Sequence, residues 1–117
     1  MDEKLRKAWA LRFEGKYQEA IAILQEILGE DPLCAPAHHL LGLIYGFIGE
    51  FEKSLEELQK AVELDGNFIQ ARNDLALTYA MLGMYEEAKA EFKKVLEIDP
   101  GNALATKHLH LMETEEI

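Results

Sequence analysis

Apolar residues recur along this chain at spacings of three and four. Tyr17, Ala20, Leu24, Ile27 and Leu28, for example, fall on one stripe, the period of an amphipathic helix rather than the two-residue alternation of a strand. Turn residues punctuate the pattern. A first helix over about residues 2–14 is predicted to stop at Gly15, because glycine readily takes the left-handed conformation that closes a helix and reverses the chain. Further helices are predicted over about 17–29, 36–48 and 51–64, then two that turn at Gly83, then a seventh from about Ala103. Pro36 is tolerated near a helix start, where its missing N–H would have no partner. No linker and no low-complexity segment interrupts this order.

The elements repeat. At an offset of 34 residues Asp31-Pro32, Asp65-Gly66 and Asp99-Pro100 fall in register, as do Gly15, Gly49 and Gly83, the aromatics Tyr17, Phe51 and Tyr85, and Ala20, Ser54 and Ala88. Three units of one length imply a repeat array in which neighbours must stack to bury their apolar stripes. The third unit, from Ile69, carries Leu75-Ala76, Tyr79, Gly83, Tyr85, Ala88, Phe92 and Pro100, a pattern that resembles the tetratricopeptide repeat, a helix-turn-helix module. The second unit keeps Leu41-Gly42, Tyr45, Gly49, Ala61 and Asp65 but has Ser54, Leu58 and Gly66 where the third has Ala88, Phe92 and Pro100. The first is looser, with Lys4, Lys7 and Leu11 at positions where the family favours an aromatic, Leu and Tyr. The resemblance implies one all-α domain over residues 1–117, a right-handed superhelix (α-solenoid) with repeats at 1–34, 35–68 and 69–102 and a capping helix at 103–117.

On that resemblance Ala8, Ala20, Gly42, Ala61, Ala76 and Ala88 lie where paired helices approach closely, and Leu24, Leu41, Leu58, Leu75 and Phe92 fill the space between them. Leu109 and Met112 would cover the flank of the third repeat, while His110 and Glu113 on the same helix face water; Lys4 and Lys7 look solvated at the other end.

The resemblance also implies a concave groove lined by the first helix of each pair. Its positions include Leu5, Trp9, Arg12 and Phe13 in the first repeat, His39, Leu40, Leu43, Gly46 and Phe47 in the second, and Asn73, Leu77 and Met81 in the third. Such an apolar surface is larger than a monomer usually leaves bare. It implies a protein or peptide segment with apolar anchors as partner, with Trp9 a candidate hot spot. The competing structural reading is that these side chains pack on one another. Gly46 is notable because glycine inside a helix costs about 1 kcal/mol relative to alanine; one reading is that a ligand comes close there, the other is tolerated drift or close contact with a neighbouring helix. The positions matching the family's carboxylate clamp hold Leu5, Trp9, Leu40, Gln70 and Asp74, so acidic chaperone tails are expected to bind poorly.

Composition narrows the partners. With 22 acidic residues against 12 basic ones, the net charge of −10 disfavours nucleic acid, whose binding depends on Lys and Arg releasing counterions from phosphates. Glu19, Glu26, Glu52, Glu56, Glu57, Glu86, Glu87, Glu91, Glu97, Glu115 and Glu116 lie on second helices or in the tail, where they read as a solvated, solubilising face. Cys34 is the only cysteine, no stretch resembles a signal peptide, and none approaches a membrane span, so a cytoplasmic protein without membrane insertion is expected. The histidine pairs His38-His39 and His108/His110 lack the spacing of three or four that metal ligation on a helix needs, and no catalytic motif is present. The expectation is a non-enzyme without cofactor or metal, an adaptor or small chaperone. The alternative is a homo-oligomeric scaffold, to which Ile23 lends a second apolar surface because its equivalents are Glu57 and Glu91.

Overall fold

The computed structural model describes residues 2–114. They form seven helices: α1 (Asp2–Phe13), α2 (Tyr17–Glu30), α3 (Ala35–Phe47), α4 (Phe51–Leu64), α5 (Ile69–Met81), α6 (Tyr85–Ile98) and α7 (Ala103–Thr114). The predicted ends differ from these by one residue at most. The tail residues Glu115 and Glu116, and the side chain of Asp2, lie outside what is described.

The glycine turns have a common geometry. Gly15, Gly49 and Gly83 have φ of 78°, 85° and 77°, a left-handed conformation that a Cβ would strain. The N–H one residue beyond each glycine reaches back to the carbonyls of Leu11, Tyr45 and Tyr79, in each case at 2.8 Å, while the glycine N–H itself bonds Arg12, Gly46 and Ala80 at 3.0, 3.2 and 3.0 Å. This pair of bonds satisfies carbonyls that the ending helix would otherwise orphan. Three identical closures explain why the helices pair at one fixed sequence interval.

The helices group into two compact units, residues 1–66 and 67–117. In the first, α1 packs on α2 and α3, and α3 packs on α2 and α4. Its core gathers Ala8, Leu11, Ala20, Leu24, Ile27, Ala37, Leu40 and Ile44, with Leu5, Trp9, Tyr17, Ile23 and Leu43 packed against it. Small residues set the closest approach: a Cβ on Gly42 would sit 2.8 Å from Leu58 Cγ. Ser54 fills the adjoining space and donates to the Gly42 carbonyl at 2.7 Å. In the second unit α5 packs on α6 and α6 on α7. Ala76, Phe92, Val95 and Ala105 form the core there, and Leu109 and Met112 of α7 pack against it.

Two expectations about charge need correction. Glu57 and Glu91 do not belong to a solvated face. Glu57 accepts from His38 Nδ1 at 2.7 Å and Glu91 from Arg72 at 2.8 Å, with each carboxylate side chain only 14% exposed. Both cross-helix pairs tie the first helix of a repeat to its second. Lys4 is also not simply solvated, since it bridges α1 to Glu26 and Glu30 of α2 at 3.2 and 2.6 Å.

Candidate functional site

The residues proposed for the groove separate by burial. Leu40 is 0%, His39 3% and Asn73 7% exposed, so these three are not available to a ligand as expected. Each has a structural reason. Leu40 is a core residue where α3 meets its neighbours. His39 presents an edge to the Trp9 ring, with centroids 6.4 Å apart. Asn73 donates to Asn102 Oδ1 at 3.3 Å, and the same oxygen accepts the Ala105 N–H at 3.0 Å, so it ties α5 to the residue that caps α7.

What stays accessible in the first unit is an aromatic strip along α1 and α3. Phe13 is 76% and Phe47 60% exposed. Trp9 is half-buried and stacks on Phe13 with centroids 5.9 Å apart and planes 27° apart. Tyr17, at the start of α2, stacks on Phe47 at 6.1 Å with planes 9° apart. The Arg12 guanidinium lies over all three rings of Trp9, Phe13 and Phe47, at 5.2, 5.0 and 4.8 Å, an arrangement in which ring quadrupoles attract the cation. Its Nε is shut off from solvent without a hydrogen-bond acceptor. Leu5 and Leu43 are half-buried at the foot of the strip, against the core. Sequence reasoning placed Tyr17 among the repeat-defining aromatics and missed its contact with Phe47; its period-34 position carried no sign of it.

Gly46 lies beside Phe47 in sequence, and a Cβ there would meet only Ser54 Oγ, at 3.4 Å. The neighbouring helix is therefore close but not so close as to demand glycine. In the second unit Met81 is 61% exposed and Leu77 half-buried against the core. His108 of α7 stacks on Phe92 with centroids 5.6 Å apart.

Other surfaces offer less. An open cleft of about 560 Å³ between α2, α3 and α4 is lined by Gln18, Gln25, Tyr45, Glu50 and Lys53 among others, and Glu50 and Lys53 pair with each other at 3.2 Å. Among the described residues no group of three His, Cys, Asp or Glu side chains is placed to hold a metal ion, and Cys34 is buried as a free thiol. No helix among them is long and apolar enough to cross a membrane.

Models of the tetratricopeptide repeat match residues 11–73 and residues 69–102. No curated protein sequence matches the chain. Among solved structures, the first such domain of Spaghetti (RPAP3), bound to the HSP90 peptide SRMEEVD, is 25% identical, with a TM-score of 0.90 over 96% of this chain and 89% of that one. The second domain of human RPAP3, in complex with the HSP70 peptide SGPTIEEVD, is 26% identical, with a TM-score of 0.86 over 94% and 92%. A crystal structure of MamA is 25% identical, with a TM-score of 0.90 over 98% of this chain and 68% of that one. These likenesses fix the fold class as an all-α helical solenoid. With one repeat model spanning more than half of its 117 residues, the chain belongs to the tetratricopeptide-repeat family.

Proposed function

We propose that this protein is a non-catalytic interaction module that holds a segment of another polypeptide against the aromatic strip of α1 and α3, as an adaptor or small chaperone. The observation that carries the reading is the exposure of Phe13 and Phe47, at 76% and 60%, on either side of Arg12 and next to the half-buried Trp9. Large rings left this open in a folded chain offer apolar area that a partner gains by covering. Structural neighbours solved with chaperone peptides support the general mode. Their ligand does not transfer directly, because Leu5, Trp9, Leu40, Gln70 and Asp74 stand at the clamp positions and none is a cation. A cytoplasmic setting fits this use of the fold.

Trp9 is the only tryptophan, so its fluorescence reports the site. Partner peptides or lysate fractions that shift its emission identify ligands, and Phe13→Ala with Phe47→Ala should weaken a confirmed ligand by about 10-fold or more, as removal of aromatic anchors does. Unchanged affinity in the double variant would overturn the reading.

Self-association through the groove or the array ends is the competing use of the same surface. The feature that favoured it is reduced, since Ile23 is half-buried against the core of the first unit. Light scattering across a concentration series separates the two: a constant monomer mass supports the adaptor, and a mass that rises with concentration supports the scaffold.

A further inference from the structure

We infer that Arg12 makes the aromatic strip selective for a partner segment that sets a side-chain carboxylate beside an apolar or aromatic residue. This rests on the interaction-module reading above and names the partner's chemistry. Lys4, Lys16, Lys53, Lys60, Arg72 and Lys89 each lie within ion-pair distance of a glutamate. Arg12 does not. Among the described residues no carboxylate pairs with it, in a chain whose acidic residues outnumber basic ones 22 to 12. What it has instead is Trp9, Phe13 and Phe47 around the guanidinium.

Aromatic rings attract the cation through their faces but accept no strong hydrogen bond. The terminal N–H groups of the fork are therefore left for an acceptor from outside, whereas the Nε–H is shut off from solvent and adds no contact of its own. A planar carboxylate matches such a fork in two parallel bonds, and the half-dry surroundings of the rings strengthen that bond relative to water. The same rings give an adjacent apolar side chain a surface to lie on. A single guanidinium among them suits one negative charge. The equivalent positions in the other repeats, Gly46 and Ala80, present no charge of either sign, so the selectivity belongs to the first repeat. It differs from capture of a chain terminus, because the acid comes from a side chain and an amidated peptide serves equally.

The test uses two pools of acetylated, amidated peptides, one with a central Leu-Glu-Phe and one with Leu-Gln-Phe, titrated into the whole protein. Trp9 emission and the Arg12 Nε–H resonance are followed. The Glu pool should bind about five-fold tighter or more, the margin a charge-assisted bidentate bond supplies, and it alone should displace the Arg12 resonance. The margin should shrink in high salt. Arg12→Met, checked for an unchanged melting curve, should make the two pools bind alike. Equal binding of both pools to the unaltered protein, or a Glu preference that survives in Arg12→Met, overturns the inference while leaving the interaction module standing. If neither pool moves Trp9, the strip itself is not a peptide site and both readings fall.

Discussion

Gly42 and Gly46 stand one turn apart on α3 and answer to different constraints. At Gly42 a Cβ would press on Leu58 at 2.8 Å from Cγ and 3.3 Å from the backbone nitrogen, and Leu58, 1% exposed, has nowhere to retreat. Gly42→Ala should therefore cost about 1–3 kcal/mol by overpacking, read as a lower urea midpoint at constant slope. At Gly46 the only neighbour is Ser54 Oγ at an ordinary 3.4 Å. Gly46→Ala should raise stability by up to about 1 kcal/mol, the helix-propensity difference. The sequence marks both as small residues in helices. It does not tell them apart, because the difference lies in how Leu58 and Ser54 on another helix are seated. Ala88, fully buried, was legible as a close-approach site from the family resemblance, and a large side chain there should also cost about 1–3 kcal/mol.

Within each repeat, the decisive polar contacts join the first helix to the second. His38–Glu57 and Arg72–Glu91 are related by the 34-residue offset, so one architectural position places a nitrogen-bearing side chain against a glutamate in two repeats. The His38 ring meets acceptors on both sides, Glu57 at 2.7 Å and the Pro32 carbonyl at 2.9 Å. His38→Ala would leave the Glu57 carboxylate half-dry without that donor, and the loss should be about 1–3 kcal/mol. A double-mutant cycle with Glu57→Ala checks that the two residues act as a pair. In the first repeat the corresponding acid is replaced by Ile23, and Lys4 reaches instead to Glu30 and Glu26. Hydrogen bonding to Glu30, then to Glu26, raises the Lys4 pKa above its usual value, and the Lys4 hydrogen bond lowers that of Glu30. For a lowered carboxylate the sign is clear: its contribution to holding α1 on α2 is present above the ordinary carboxylate range and is lost as pH falls through the depressed value. An NMR titration should place Glu30 below the ordinary carboxylate value, with the difference narrowing in salt because the pair is exposed. The glutamates at period 34 are plain in the sequence, yet charge alone does not reveal which side of a helix a neighbour covers.

Across the whole molecule, repetition determines the fold class, and α7 covers the flank of α6 in the second unit. Leu109 and Met112 of α7 close over Phe92, Val95 and Ala105 in the second unit, and His108 stacks on Phe92. Removing residues 103–117 should cost on the order of 3 kcal/mol, from the apolar side chains returned to water. Hydrogen exchange should then show α5 and α6 amides losing protection, whereas an unchanged exchange pattern would mean the cap adds nothing. The helices were readable from phase and the family from the residues that recur with it, because both depend on short-range periodicity and on glycines that must close a helix with positive φ.

By itself the amino-acid sequence determined the seven helices, the period that pairs them, the turn glycines and the small residues between them. These follow from local backbone preference and from an apolar stripe that must be covered. Only the tertiary structure decided which inner-wall positions stay open. It buried Leu40, His39 and Asn73, left Phe13 and Phe47 in water, and laid Arg12 among three rings. A helical position names a direction, but accessibility depends on the side chains that arrive from elsewhere in the chain, and those contacts carry no fixed interval.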